Sequence, residues 1–403
     1  MDKKRISPLF VIIMAGLAAF GPLSIDMYLP ALPEVKNNFG TTTALTQLTL
    51  TLFMIGLAVG NIVAGTVSDS TGRKKPLIIS LISYIISSII IALAPNVIVM
   101  IIFRFIQGIS GGAGIVLSRA ISTDLYKGKA LTQFLALLML VNAAAPILAP
   151  MFGGFILNFA SFRILFWILA ILSLVMLIGV FIKIDETLPK SSRRPANVKA
   201  VAEDFKILLT RRSFIVPILI QGFTFVMFFS YMAASPFIMQ NIYGLSAQQY
   251  SYIFALTGLG LIVTSQLTGR IINYVNGLVL FRVFSLIQLV GAILVVIALI
   301  NHFPTWILIL AFLLIMAPVA GIATLGFAIA VEGQEKGIGS ASSLVGLLQY
   351  LIGGISTSLV GLQGEHSYVP YIIVIIITMV IVISLHFYHY WTNITKSQLH
   401  TKS

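Results

Sequence analysis

The stretch GTVSDSTGRKK, residues 65–75, sets an acid, a glycine and three basic residues in one tight turn between two long apolar runs. Gly72 suits a turn position of positive φ, and Asp69 can cap or pair with the positive end of a neighbouring helix. Any short loop on the basic side of a membrane protein would carry residues such as Arg73, Lys74 and Lys75. That rule does not account for Asp69 and Gly72 at this spacing.

The chain around this turn cannot be a soluble globule. Of its 403 residues 58% are hydrophobic and 9% charged, and its mean hydropathy is +1.03, whereas soluble domains carry about 25% charged residues. It contains no cysteine, which excludes disulfides, thiolate metal sites and cysteine nucleophiles. The five histidines, His302, His366, His386, His389 and His400, form no HExxH pattern, and the G-x-x-x-x-G-K-[ST] signature of nucleotide binding is absent. No enzyme chemistry, metal or cofactor is therefore expected. Residues 1–30 begin with Lys3, Lys4 and Arg5 before an apolar run, as a signal sequence would. The run is too long, lacks a small-residue cleavage site and contains Asp26, so it reads as a retained span.

At about 20 apolar residues per crossing, the sequence divides into twelve spans at 7–29, 44–66, 76–95, 97–121, 129–154, 163–183, 213–238, 248–270, 278–300, 304–330, 337–362 and 368–391. Twenty-two of the 25 Lys and Arg residues fall in the termini and alternate connections; Lys36 and Arg163 fall on the other side, and Arg104 lies within span 4. The positive-inside rule then puts both termini in the cytoplasm. It also explains the net charge of +13 without a nucleic-acid partner. The longest polar connection, 184–212, separates an N-terminal six-span bundle (1–183) from a C-terminal one (213–395), with a short cytoplasmic tail at 396–403. Glu203-Asp204 followed by Lys206 within this connection fits either a short interfacial amphipathic helix or a solvated linker. Two six-span halves make a pseudo-repeat, a recurrent transporter plan. The repeat is weak: GRIINYVNG after span 8 answers to the turn after span 2 but has lost its acid.

Two charges stand deep inside spans. Asp26, in LSIDMYLP (23–30), lies in span 1, and Arg104 in RFIQG, with Gln107 one turn on, lies in span 4. A charge in mid-bilayer costs at least ~2.5–3.5 kcal/mol, so each is a functional-site hypothesis. If span 1 ends near Pro30 or Pro33, both lie ~6–10 Å below the same face, close enough in depth to pair directly or through water. Arginine cannot shed its charge, so Arg104 is either a structural counter-ion or a coupling element. Span 5 carries APILAPMFGG, in which Pro146 and Pro150 can kink the helix and Gly153 and Gly154 permit close approach.

These motifs together resemble the major facilitator superfamily. GTVSDSTGRKK is similar to its signature loop G-x-x-x-D-R-x-G-R-K/R-K/R, with Ser70 where the family usually carries a basic residue. RFIQG resembles its R-x-x-Q-G pattern. The span 5 stretch resembles the antiporter motif G-x-x-x-G-P-x-x-G-G, with Ala145 and Ala149 in place of two glycines. SIDMYLPALP (24–33) and GIGSASSLVGLLQYLIGG (337–354) resemble the first and eleventh spans of the bicyclomycin/chloramphenicol-resistance (Bcr/CflA) drug/proton antiporters. The resemblance, which covers nearly the whole chain, implies an all-α fold of twelve transmembrane helices in two six-helix bundles. It also implies a cytoplasmic latch, for which Asp69, Gly72, Arg73, Arg119 and Asp124 are the candidates.

The resulting expectation is proton-coupled efflux of a drug or drug-like molecule across the cytoplasmic membrane by alternating access, with protons, one small molecule and the bilayer as partners, no nucleic acid and a monomer. Asp26 and Arg104 would couple protons. Met27, Tyr28, Asn142, Gln221, Phe225, Tyr231 and Gln349 would line the substrate cavity, since apolar, aromatic and amide groups suit a neutral or weakly polar amphiphile. The lack of a second buried acid speaks against a dedicated dicationic-drug pump. The alternative is a proton-coupled transporter of a natural metabolite on the same scaffold.

Overall fold

The computed structural model describes residues 8–126, 128–193, 198–332 and 338–400. Its regular structure among these residues is helical: α1 (Pro8–Asp26), α2 (Leu32–Phe39), α3 (Thr43–Thr71), α4 (Lys74–Ala92), α5 (Val97–Leu125), α6 (Gly128–Leu157), α7 (Arg163–Lys183), α8 (Val198–Thr210), α9 (Arg212–Phe237), α10 (Ala247–Ile271), α11 (Gly277–Ile300), α12 (Thr305–Met316), α13 (Val319–Val331), α14 (Ile338–Leu359) and α15 (Val369–His400). Ten stretches are long and apolar enough to cross a membrane, and the shorter apolar runs Ala144–Leu157 and Leu344–Leu359 lie in α6 and α14. These match the twelve segments read from the sequence, and the fold is the twelve-helix membrane architecture expected.

Proline explains where the segments depart from their expected ends. Span 1 does not stop at Pro30: α1 ends at Asp26, a 3-10 turn covers Leu29–Ala31, and α2 runs on to Phe39. Pro30 and Pro33 each sit in the first turn of the segment that follows, where a missing N–H donor leaves no bond unmade. They start helices instead of ending the span. Gly40, at φ +57°, closes α2. Span 10 likewise divides into α12 and α13 at Pro318, and α9 ends in a π-helical turn over Ile238–Ile242. In the connection 184–212 the helical reading holds for Val198–Thr210. Leu208 on that helix is buried with Phe214, Ile218, Ala330 and Leu344.

By contacts the chain forms two units. One runs through α7 and takes in Pro236–Ala255; the other holds Lys199–Ser235 and continues from Leu256. In the first unit α3 and α5 meet through reciprocal glycines. A methyl group on Gly56 or Gly60 would collide with the backbone at Phe105 or Ile109, and one on Gly108 or Gly112 with the carbonyls of Phe53 or Leu57. Such close approach is the use of small residues in membrane helices. It also fixes Arg104, one turn before Gly108, against Phe53 on α3.

Candidate functional site

The break after Asp26 brings three helices to one buried polar network. The guanidinium of Arg104, fully buried, donates from Nη1 to the Ser24 carbonyl at 3.1 Å and to Gln107 Oε1 at 2.8 Å. Gln107 Nε2 donates to Ser88 Oγ at 2.8 Å, and the hydroxyls of Ser24 and Tyr84 share a hydrogen bond. The guanidinium carbon lies 4.2 Å from the ring centre of Phe53, 4.8 Å from Tyr28 and 5.6 Å from Phe166, so aromatic faces supply part of its solvation. Among the described residues its Nε and Nη2 have no hydrogen-bond partner. Two unmet donors on a buried cation are expensive, and they form a seat for negative charge.

Asp26 lies in the same unit, 4% exposed. Among the described residues no ion pair joins it to Arg104, which is held instead by the Ser24 carbonyl, Gln107 and the three rings. Both charges are buried, and they do not pair directly in this arrangement. Met27 and Tyr28 follow Asp26 into the break. Tyr28 hydrogen-bonds Thr49 Oγ1 at 3.0 Å, and a methyl group on Gly153 of α6 would strike the Met27 carbonyl. Pro146 and Pro150 lie within α6, and Gly153 of the same helix packs directly on the break in span 1. A methyl on the neighbouring Gly154 would strike Ser251 Oγ. Around the same end, Gln240 Nε2 in the π-helical turn donates to the Pro30 carbonyl at 3.2 Å, and Asn158 Nδ2 to Gln248 Oε1 at 3.4 Å.

At the other end of α3 lies a charged cluster. Gly72 has φ +98°, as a turn glycine should, and Arg73 donates to Asp69 Oδ1 at 2.5 Å and from Nε to Asp124 Oδ2 at 3.0 Å. Burial works against the Arg73 charge, but the bonds to Asp124 and Asp69 outweigh it and raise its pKa further. Arg119 stays outside this cluster, on an exposed face of α5, and makes no ion pair among the described residues. Sequence reasoning missed Glu186, whose carboxylate accepts from the amides of Arg73 at 2.8 Å and Lys74 at 3.3 Å. Burial alone would raise its pKa, yet the amides of Leu188, Arg73 and Lys74 and the charge of Arg193 hold it below the usual glutamate value.

The remaining cavity candidates belong mostly to the second unit. Tyr231 is fully buried, bonded to Thr257 Oγ1 at 3.1 Å and tilted on Phe312 at 4.7 Å. Phe225 joins Phe228, Phe229 and Tyr350 in an aromatic cluster. Gln221 is buried with its Oε1 unbonded, as is Thr224 Oγ1 one turn on. Gln349 on α14 is partly exposed. The side chain of Asn142 lies outside the described residues. Ser24, Tyr84 and Ser88 complete the Arg104 network; the serines gave no sequence signal because small hydroxyls in apolar helices usually bond only their own backbone.

Comparison with known proteins bears on the whole chain. The sequence profile of the Major Facilitator Superfamily matches residues 13–357. The chain is 36% identical over 381 residues, 94% of each protein, to the "Uncharacterized MFS-type transporter YdgK" of Bacillus subtilis (strain 168). It is 26% identical over 395 residues, 98% of each, to the "Bicyclomycin resistance protein homolog" of Haemophilus influenzae. Among solved structures, a D-xylose-proton symporter superimposes with a TM-score of 0.75 at 16% identity, covering 94% of this chain and 97% of the other, a likeness of fold. With the signature turn, the charged spans and the fold in agreement, the chain belongs to the Major Facilitator Superfamily and is a multi-pass membrane transporter, not an enzyme.

Proposed function

We propose that this transporter exports a drug or drug-like molecule across the cytoplasmic membrane in exchange for protons, as a monomer with both termini in the cytoplasm. The observation that carries the reading is a buried acid at a break in span 1, in the same unit as a buried arginine with two unmet donors. The 26% identity to a bicyclomycin resistance homologue supports the substrate class.

An antiporter needs a group that holds either a proton or the substrate. Burial favours the neutral form of a carboxylate, and an adjacent guanidinium favours the charged form. Asp26 takes a proton from outside and releases substrate. As the access state changes, the free donors of Arg104 reach the carboxylate, which then gives up its proton to the cytoplasm. Met27, Tyr28, Asn142, Gln221, Phe225, Tyr231 and Gln349 are the candidates to contact the substrate. The cluster of Asp69, Gly72, Arg73 and Asp124, with Arg119 nearby, acts as the cytoplasmic latch; Pro146, Pro150, Gly153 and Gly154 shape the helix that meets span 1.

The test compares cells expressing wild type and Asp26→Asn on a drug-susceptibility panel, alongside substrate-evoked proton release from proteoliposomes. Loss of resistance and of proton release in the variant supports the coupling role. Proton-driven export with unchanged pH dependence in Asp26→Asn would rule it out, and protection against no drug together with uptake of a metabolite would favour the alternative substrate class.

A further inference from the structure

Glu186 lies in the chain that leaves α7, 113 positions from Arg73 in sequence, yet it closes the turn between α3 and α4. Its Oε1 accepts from the Arg73 amide at 2.8 Å and from the Leu188 amide at 3.0 Å, and its Oε2 from the Lys74 amide at 3.3 Å. Those of Arg73 and Lys74 are amides at the start of α4, which have no intrahelical acceptor and carry the positive end of the helix. Arg193 Nη2 stands 3.8 Å from the same carboxylate. A methyl group on Gly72 would fill the space that the Glu186 carboxylate occupies, so the glycine of the signature turn also makes room for this acid. The next residue, Thr187, donates from Oγ1 to Asp124 Oδ2 at 3.0 Å, beside the bond from Arg73 Nε. The linker thus holds the backbone of the turn with one residue and the Asp124 carboxylate with the next.

We propose that Glu186 is a positioning residue that straps the linker to the signature turn, so that the cluster of Asp69, Arg73 and Asp124 opens only as the linker lets go. Resting on the latch reading above, this adds a third element to it: the segment that joins the two halves of the chain. Arg73 is the common member, bound through its amide to Glu186 and through its side chain to Asp124. While Glu186 holds the linker to the start of α4, any motion that draws α5 away from α4 must break the Asp124–Arg73 bond and the Asp124–Thr187 bond together.

The chain has no cysteine, so one thiol introduced as Ser122→Cys is its sole site for N-ethylmaleimide. Ser122 is fully buried, two residues before Asp124, and reacts only when this end opens. The full chain is placed in nanodiscs, where both faces are reachable, and two rates are read: maleimide labelling, and trypsin cleavage after Lys190 and Arg193. In Glu186→Gln and Glu186→Ala both rates should rise about threefold to tenfold, the scale set by lost charge-assisted hydrogen bonds at a half-exposed site. Glu186→Asp should bring both back toward the parent. Faster cleavage with unchanged labelling would mean that Glu186 only caps α4, and would overturn the proposal, as would no change in either rate. Asp124→Asn in the same background separates the two levels. If it leaves labelling unchanged while Glu186→Gln raises it, the latch reading fails and the strap stands.

Discussion

The two ends of the first unit are fastened by opposite means. At the signature turn, Arg73, Asp69, Asp124 and Glu186 form a charged cluster that pulls together α3, α4, α5 and the linker. At the break in span 1 no opposite charges meet: Gln240 bonds the Pro30 carbonyl, Asn158 bonds Gln248 and two glycines press on Met27 and Ser251, while the charged groups nearby, Glu34 and Arg163, are met by backbone amides and carbonyls. Charged bonds act at longer range and respond to salt and protons, whereas close backbone packing has little reach and no dependence on pH. A carrier with both has one end held by opposite charges, which the medium can address, and one held mainly by close packing and hydrogen bonds.

The sharpest break of this contrast is Gly153→Val. Its side chain would drive into the Met27 backbone, and overpacking against backbone should cost about 3 kcal/mol or more, seen as a large fall in thermal midpoint in detergent. A midpoint close to the parent's would show that the end at the break is not held by packing. Next comes Arg73→Gln. It strips the cation from Asp124, whose side chain is 16% exposed, and should cost about 2–3 kcal/mol in the same assay. Asp69→Asn should cost under about 1 kcal/mol, because the Asp69 side chain is 56% exposed and its pair is screened by water.

A different measurement sharpens the contrast by pH. The Glu186 pKa lies lower in the folded chain than the ordinary value of about 4.3. Its contribution is therefore complete above that value and fades as pH falls through the lower folded one. Trypsin-resistant linker should persist from about pH 8 down to about pH 5, and its release, followed by hydrogen exchange of the linker, should begin only below about pH 4. Raising salt to about 1 M, where the Debye length falls to ~3 Å, should loosen the same end and leave the Gln240–Pro30 contact unchanged. Gln240→Ala should show the smallest effect, about 0.5–1.5 kcal/mol for one neutral hydrogen bond, with no pH or salt dependence. A pH-dependent loss there would erase the distinction between the ends.

The number of spans was legible because a twenty-residue apolar run has few other uses. Asp26, Arg104 and the turn at 65–75 were legible because charge and glycine are conspicuous against an apolar background. Pro30 and Pro33 were ambiguous: a proline both ends one helix and suits the first turn of the next, and only the path of the chain decides. The partners of Arg104 were hidden for a different reason. Ser24, Ser88 and Tyr84 become a network only when α1, α4 and α5 meet, and no local pattern records that meeting. Glu186 was hidden by distance in sequence: DETLP reads as the start of a linker, and its task depends on a turn 113 residues earlier.

The aromatic enclosure of Arg104 also has an electrical consequence. Phe53, Tyr28 and Phe166 hold a permanent positive charge where little water can screen it. With Asp26 ionised, the pair of residues is neutral; with Asp26 protonated, it carries one net positive charge. A membrane potential acts on that difference with about 2.3 kcal/mol per elementary charge per 100 mV across the full field. On the proposed cycle, voltage would bias the proton-loaded form and leave the unloaded one alone, so that transport would respond to membrane potential as well as to the proton gradient.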